Sequence, residues 1–223
     1  MNGLSLSDRN TLGALLDQRS QAEVMAMIPQ FSQAETDNFV APPAQIPEAL
    51  GVLMFNMERG VNLPEIQEFL RDCPDIQPFD VILANELDDG CARSGNKNTA
   101  RELAQAFGLN YAWGLEFIEL VNDENAKGFH GNAVFSRWPI RRAGVIRLPE
   151  QYNWYFDRQK RIGGRLAVFA ELDVGGQPVG AVSIHLENRT HGEGRKAQMA
   201  AILEAVRKEL PDMPLILGGV YVG

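Results

Sequence analysis

Cysteine and histidine are scarce in this sequence, with two and three residues respectively in a chain of 223. Cys73 and Cys91 have no metal-ligand spacing and make at most one disulfide, which fits a reduced, cytoplasmic compartment. Basic residues are outnumbered, 21 Lys and Arg against 29 Asp and Glu, and the formal net charge of −8 opposes non-specific attraction to a nucleic-acid backbone or an anionic membrane. No apolar run approaches the roughly 18 residues of a membrane span. The opening MNGLSLSDRN lacks a basic region followed by an apolar one, so neither membrane insertion nor secretion is signalled. Internal repeats and low-complexity tracts are also missing.

What is present is a 45% hydrophobic composition over 223 residues, enough for one substantial core. Residues 1–49 read as an N-terminal helical segment and a Pro-containing linker. Ser7 or Asp8 caps a piece carrying Leu12, Leu15 and Leu16; Ala22 to Ile28 forms another; Phe31 to Glu48, with Pro42, Pro43 and Pro47, is the linker. Residues 50–223 form the main domain. It opens strand (Val52 to Phe55), helix (Leu63 to Arg71), strand (Phe79 to Ala84), and continues with a helix over Thr99 to Phe107 that Gly108 ends. The apolar side of that helix is Leu103, Ala106 and Phe107. Strand-like runs follow at Tyr111–Leu120, Ala133–Phe135, Gly144–Leu148, Leu166–Val174 and Val179–Leu186, with Gly175-Gly176 as a hairpin signal between the last two. An amphipathic helix over Arg195 to Leu210, with Met199, Ile202, Leu203 and Val206 facing inward, leads to a final strand at Pro214–Leu217. Mixed strands interspersed with helices imply an α/β (α+β) layered domain.

Polar residues gather at the strand ends, where such domains place their sites. Asn56 follows the first strand of the domain and Glu86 the second. A carboxylate and an amide oxygen there suit Mg²⁺, or Glu86, Asp88 and Asp89 simply open a solvated loop. His130-Gly131-Asn132 precedes an apolar run; Asn132 either offers an amide donor to a phosphate oxygen or holds a turn. Period-2 alternation puts Val179, Ala181, Ser183 and His185 on one strand face, where His185 is either a structural histidine or a charge stabiliser or general acid. Arg158, Lys160, Arg161 and Arg165 line an anionic substrate's approach or form a solvated basic loop. Arg195 and Gln198, one helical turn apart, brace the Glu187–Gly194 loop or face water.

In order, Asn56, Asn85-Glu86, the run Gly131-Asn132-Ala133-Val134-Phe135-Ser136-Arg137-Trp138-Pro139-Ile140, and Ser183-Ile184-His185-Leu186 resemble the endonuclease/exonuclease/phosphatase superfamily over about residues 50–219. The resemblance implies a four-layered α/β/β/α sandwich with two central mixed sheets, and divalent-metal-dependent hydrolysis of a phosphodiester or phosphomonoester by in-line attack of water. It implies Glu86 and Asn56 as metal residues with Mg²⁺ or Mn²⁺, His185 and Asn132 as catalytic, and His130 and Arg165 as substrate-binding. The departure comes after Gly218-Gly219. There the superfamily pattern is Gly-Asp-x-Asn, and this chain has Val220, Tyr221 and Val222. No later Asp-His pair follows. The expectation is a domain truncated within its second sheet, with an unpaired edge available for self-association. The alternative to a phosphoesterase is a catalytically deficient phosphate-binding protein or an inactive fragment. The substrate itself is not specified by these motifs.

Overall fold

The alternation of apolar side chains along the strands assigns each face to a layer, and the layers follow from it. In this computed structural model, which describes residues 1–220, strand β3 (Val81–Asp89) sends Ile82 and Ala84 into one core cluster and Val81 and Leu83 into another. Strand β8 (Leu166–Val174) does the same, with Leu166, Val168, Ala170 and Leu172 on one side and Ala167 and Phe169 on the other. Both strands are therefore buried on both faces, which requires covering layers outside each sheet.

The first sheet has the order β1 (Ala34–Asp37), β4 (Asn110–Glu119), β5 (Phe129–Ser136), β3, β2 (Val52–Arg59), with the short β7 (Arg161–Gly163) also paired to β4. Only β2 and β3 run parallel in it. The second sheet has the order β10 (Leu215–Val220), β9 (Gln177–His185), β8, β6 (Ile140–Arg147), with β10 parallel to β9. Helices α3 (Leu63–Asp72) and α4 (Thr99–Phe107) cover the first sheet, and α5 (Gly192–Glu209) covers the second. This is the expected four-layered sandwich. No helix among the described residues is long and apolar enough to cross a membrane.

Local chemistry sets the boundaries. Asn98 caps α4 by accepting from the Arg101 amide at 2.9 Å, and Gly108 ends it in the left-handed conformation (φ 58°). Gly175 and Gly176, both at positive φ, make the two-residue β8–β9 turn. Two inward assignments differ from expectation. Leu203 of α5 is 40% exposed because Ile202 and Val206 hold the centre of the buried stripe and Leu203 lies 100° further round. Ala106 of α4 is likewise exposed, and Ala100, Leu103 and Ala104 are buried instead.

The N-terminal residues pack into the same core as the strands. Helix α1 (Leu6–Leu15) is capped by Ser5 rather than Ser7 or Asp8, and α2 (Gln21–Met25) by a Ser20–Glu23 capping box. Leu16, Val24, Ile28 and Phe31 belong to the cluster beneath the first sheet. The stretch read as a linker contains strand β1, whose Ala34 to Asp37 pair with Gly114 to Tyr111. Its sequence, Ala-Glu-Thr-Asp, has no apolar alternation to reveal it, and the pairing is decided by the free edge of β4.

At the opposite side β2 and β10 are the terminal strands of their sheets, and Val52, Met54 and Leu215 are 40%, 55% and 43% exposed. Tyr221 and Val222, expected to stand in for a site motif, lie outside the described residues.

The tightest approach in the first sheet is at Gly131 of β5, between Leu87 and Leu115. A Cβ there would collide with the Gly114 carbonyl and stand 2.7 Å from the Trp113 ring. Gly131→Ala is expected to destabilise the fold by about 2–3 kcal/mol, read as a lower urea midpoint with an unchanged m value.

Candidate functional site

Three strands of the first sheet carry a bulge at the same end. The register slips between Asn56 and Arg59 in β2, between Ala84 and Leu87 in β3, and between Leu115 and Phe117 in β4. A bulge bends its strand and re-aims a side chain that regular pleating would send elsewhere. Glu58, Arg59 and Glu86 adopt positive φ (46°, 69° and 58°) within these bulges, a conformation that costs non-glycine residues on the order of 1 kcal/mol or more each. The distortion is held by polar side chains. Asn132 of β5 accepts the Glu86 amide at 3.1 Å, and Asn56 accepts the Glu58 amide at 2.9 Å.

Glu116, carried by the β4 bulge, is completely buried. Its carboxylate meets Arg165 at 3.1 Å and His185 Nδ1 at 3.2 Å, both from the second sheet, and His130 Nε2 at 3.7 Å. Burial alone would push its pKa up, but the charges of His185 and Arg165 outweigh this and hold it well below the usual carboxylate range. An ionised carboxylate only accepts, so His185 donates from Nδ1, and its Nε2 accepts from Arg165 Nη1 at 3.1 Å and stands 3.9 Å from the Glu86 carboxylate. Around this core, Arg165 also reaches Glu187 at 3.4 Å, and Trp154 donates to the same carboxylate at 2.9 Å. Asp88 holds His130 Nδ1 at 3.0 Å and Arg93 at 2.7 Å, which keeps Asp88 at about 2 despite its burial.

Glu86 stands at the outer end of this network with its side chain 24% exposed. Burial raises its pKa, and the opposing pull of His130, His185 and the Asn56 amide leaves it below the ordinary value. Next to it, Asn132 Nδ2 is buried and has no hydrogen-bond partner among the described residues, an unmatched donor that suits an acceptor-rich ligand. The sheets are tied together just beneath. Asn85 Nδ2 donates to the Ile184 carbonyl at 3.1 Å, and Ser183 Oγ donates to the Ala84 carbonyl at 3.0 Å.

Glu86, Asn132 and His185 are thus brought to one edge, with Asn56 exposed beside Glu86. His130 and Arg165 lie one layer below, both buried with their nitrogens engaged by carboxylates, where they support the site from inside. Arg161 and Arg165 are not part of a solvated loop: each guanidinium lies over the rings of Phe117 and Trp154, at 5.1 to 5.5 Å. Gln198 and Arg195 do brace the β9–α5 loop, accepting the Glu187 amide at 2.9 Å and donating to the Thr190 carbonyl at 2.8 Å. Sequence reasoning missed Glu116. Its signal was a carboxylate in the middle of the apolar run Tyr111–Leu120, on the face that carries Ala112 and Gly114.

No family model matches the chain, and no curated protein matches it by sequence. Solved structures do match. An endonuclease/exonuclease/phosphatase from Beutenbergia cavernae DSM 12333 superposes at a TM-score of 0.51 with 22% identity, over 69% of this chain and 43% of that one. The human Nocturnin catalytic domain with bound sulfate gives 0.54 and 19%, over 86% and 68%. The mannosyl-6-phosphatase of Bacteroides thetaiotaomicron VPI-5482 gives 0.51 and 15%, over 77% and 64%. The chain has the endonuclease/exonuclease/phosphatase fold. It spans from 43% to 68% of the length of these three relatives. In this fold the bulged ends of β2, β3 and β4 meet the ends of β8 and β9, and the candidate site is that meeting point.

Glu116→Gln leaves Arg165 and His185 facing a neutral amide, and is expected to destabilise the fold by about 3 kcal/mol at neutral pH. Because the folded pKa of Glu116 is depressed, its contribution is complete above the ordinary value of 4.5 and is lost as the pH falls below it. The gap in urea midpoint between parent and variant should therefore shrink from pH 5 toward pH 3.

Proposed function

We propose that this chain is a phosphoesterase that hydrolyses a phosphodiester or phosphomonoester at the Glu86–Asn132–His185 edge, in a reduced, cytoplasmic compartment. The observation that carries the reading is the convergence of an ionised carboxylate, an unmatched buried amide donor and an imidazole fixed by a buried carboxylate.

Among the described residues no group of three His, Cys, Asp or Glu side chains could hold a metal. Glu86 with Asn56 beside it still fits Mg²⁺ or Mn²⁺, hard ions that take one or two protein oxygens and keep several waters. Glu86 would hold the ion, which supplies charge neutralisation at a phosphoryl oxygen. The chain's own groups do the rest. Asn132 Nδ2 donates to a non-bridging oxygen, and its carbonyl keeps the Glu86 bulge in shape. Glu116 fixes the tautomer of His185, and Arg165, hydrogen-bonded to His185 Nε2, adds positive charge beside the phosphoryl group.

A second reading, a phosphate-binding protein deficient in catalysis, is favoured by Val220. It pairs in register with His185, at the position where the superfamily pattern supplies an aspartate, and valine can neither take a proton nor ligate a cation. Both readings are tested on bis-p-nitrophenyl phosphate with and without Mg²⁺. The hydrolase reading expects a slow Mg²⁺-dependent rate that His185→Ala lowers at least about 100-fold and Val220→Asp raises. Metal-independent background alone rules it out, and calorimetric binding of phosphate without turnover leaves the second reading standing.

A further inference from the structure

Beside Glu86 lies a cavity of about 390 Å³ whose lining includes Arg59, Arg93 and Arg158. Arg59 joins it to the candidate site, its Nε standing 4.0 Å from the Glu86 carboxylate. Arg93 joins it to the buried network through Asp88 and Glu119.

The polar side chains of this lining are donors almost throughout. Asn122, Asn125 and Gln159 each have their amide oxygen engaged, by the Glu124 amide, the Ala92 amide and the Arg161 guanidinium. Their NH₂ groups carry no partner among the described residues. The one carboxylate in the lining, Glu119, is held between Arg93 at 3.1 Å and Arg161 at 3.0 Å. Arg93 uses Nε and Nη2 for its carboxylates, and Arg158 has no ion-pair partner among the described residues. Counting the arginines of this cluster, Arg59, Arg93, Arg158 and Arg161, against Glu86, Asp88 and Glu119 leaves an excess of positive charge, and Arg158 is the unmatched cation. Asp123 and Glu124, on the same loop, do not line the cavity. This excess stands within a chain of net charge −8, so it is a local construction rather than a general property of the surface.

A lining of guanidinium and amide donors with its only carboxylate already neutralised matches a group that has acceptors alone. Phosphate is such a group, and guanidinium forks bind it in bidentate fashion. We propose that this cavity receives a second phosphate of the substrate, distinct from the one at Glu86, so that the protein selects small molecules carrying two phosphate groups. The inference rests on the phosphoesterase reading for the first phosphate and is independent of it for the second.

The test compares thymidine 3′,5′-bisphosphate with thymidine 5′-monophosphate by calorimetry, in Mg²⁺ and at fixed ionic strength. The bisphosphate is expected to bind at least about tenfold more tightly, equivalent to about 1.4 kcal/mol. Arg158→Gln is expected to abolish that advantage while leaving the monophosphate affinity unchanged, and Arg158→Lys to restore part of it. Equal affinity of the parent protein for the two ligands overturns the second-phosphate site and leaves the hydrolase reading intact. An advantage that survives Arg158→Gln also overturns it. A bisphosphate advantage in a protein that hydrolyses no phosphoester supports the cavity and removes the hydrolase reading, and failure of both ligands to bind overturns both.

Discussion

The burial of Glu116 is the constraint around which the site is built. A carboxylate removed entirely from water is tolerated only where opposite charge and hydrogen-bond donors surround it. Glu116 sits on the first sheet, and its partners Arg165 and His185 come from the second. Satisfying it therefore fixes the distance and angle between the sheets at one edge, and the same contacts set the orientation of His185. The apolar layer between the sheets supplies most of the attraction but little direction, since Val, Leu and Ala side chains can slide. The ionic layer at the edge removes that freedom.

Arg165 and Arg161 add a second consequence. Both guanidiniums pack on Phe117 and Trp154 while paired to buried carboxylates, so aromatic surface and charge are satisfied together. The outward result is a rigid floor of charge with few mobile groups. Above it Glu86, Asn56, Asn188 and the neighbouring arginines are open to solvent.

Much of the fold was legible. The strands β8 and β9, the helix α4 with its glycine terminator and the Gly175-Gly176 turn follow from period, capping and turn chemistry, which act within a few residues. His185 at the end of β9 was legible for the same reason, whereas Glu86, expected to follow its strand, lies within β3 at a bulge and Asn132 lies within β5. Less could be read where partners are distant. Strand β1 has no apolar pattern because its place is set by the free edge of β4. His130 and Arg165 looked like contacts for a substrate because nothing local distinguishes a buried basic residue from an exposed one. Glu116 carried only the faint signal of a charge in an apolar strand.

The sequence by itself determined the layers, since the continuous apolar runs Val81–Ala84 and Leu166–Ala170 demand burial on both faces. Tertiary structure alone decided the bulges that turn Glu86 and Glu116 toward one point, the depth at which His130 and Arg165 lie, and the gathering of Arg59, Arg93 and Arg158 around one cavity. The physical reason is range. Periodicity and capping are encoded within a turn or a strand, whereas a bulge and an ion network exist only when strands far apart in the chain are pressed together and their polar groups must find one another.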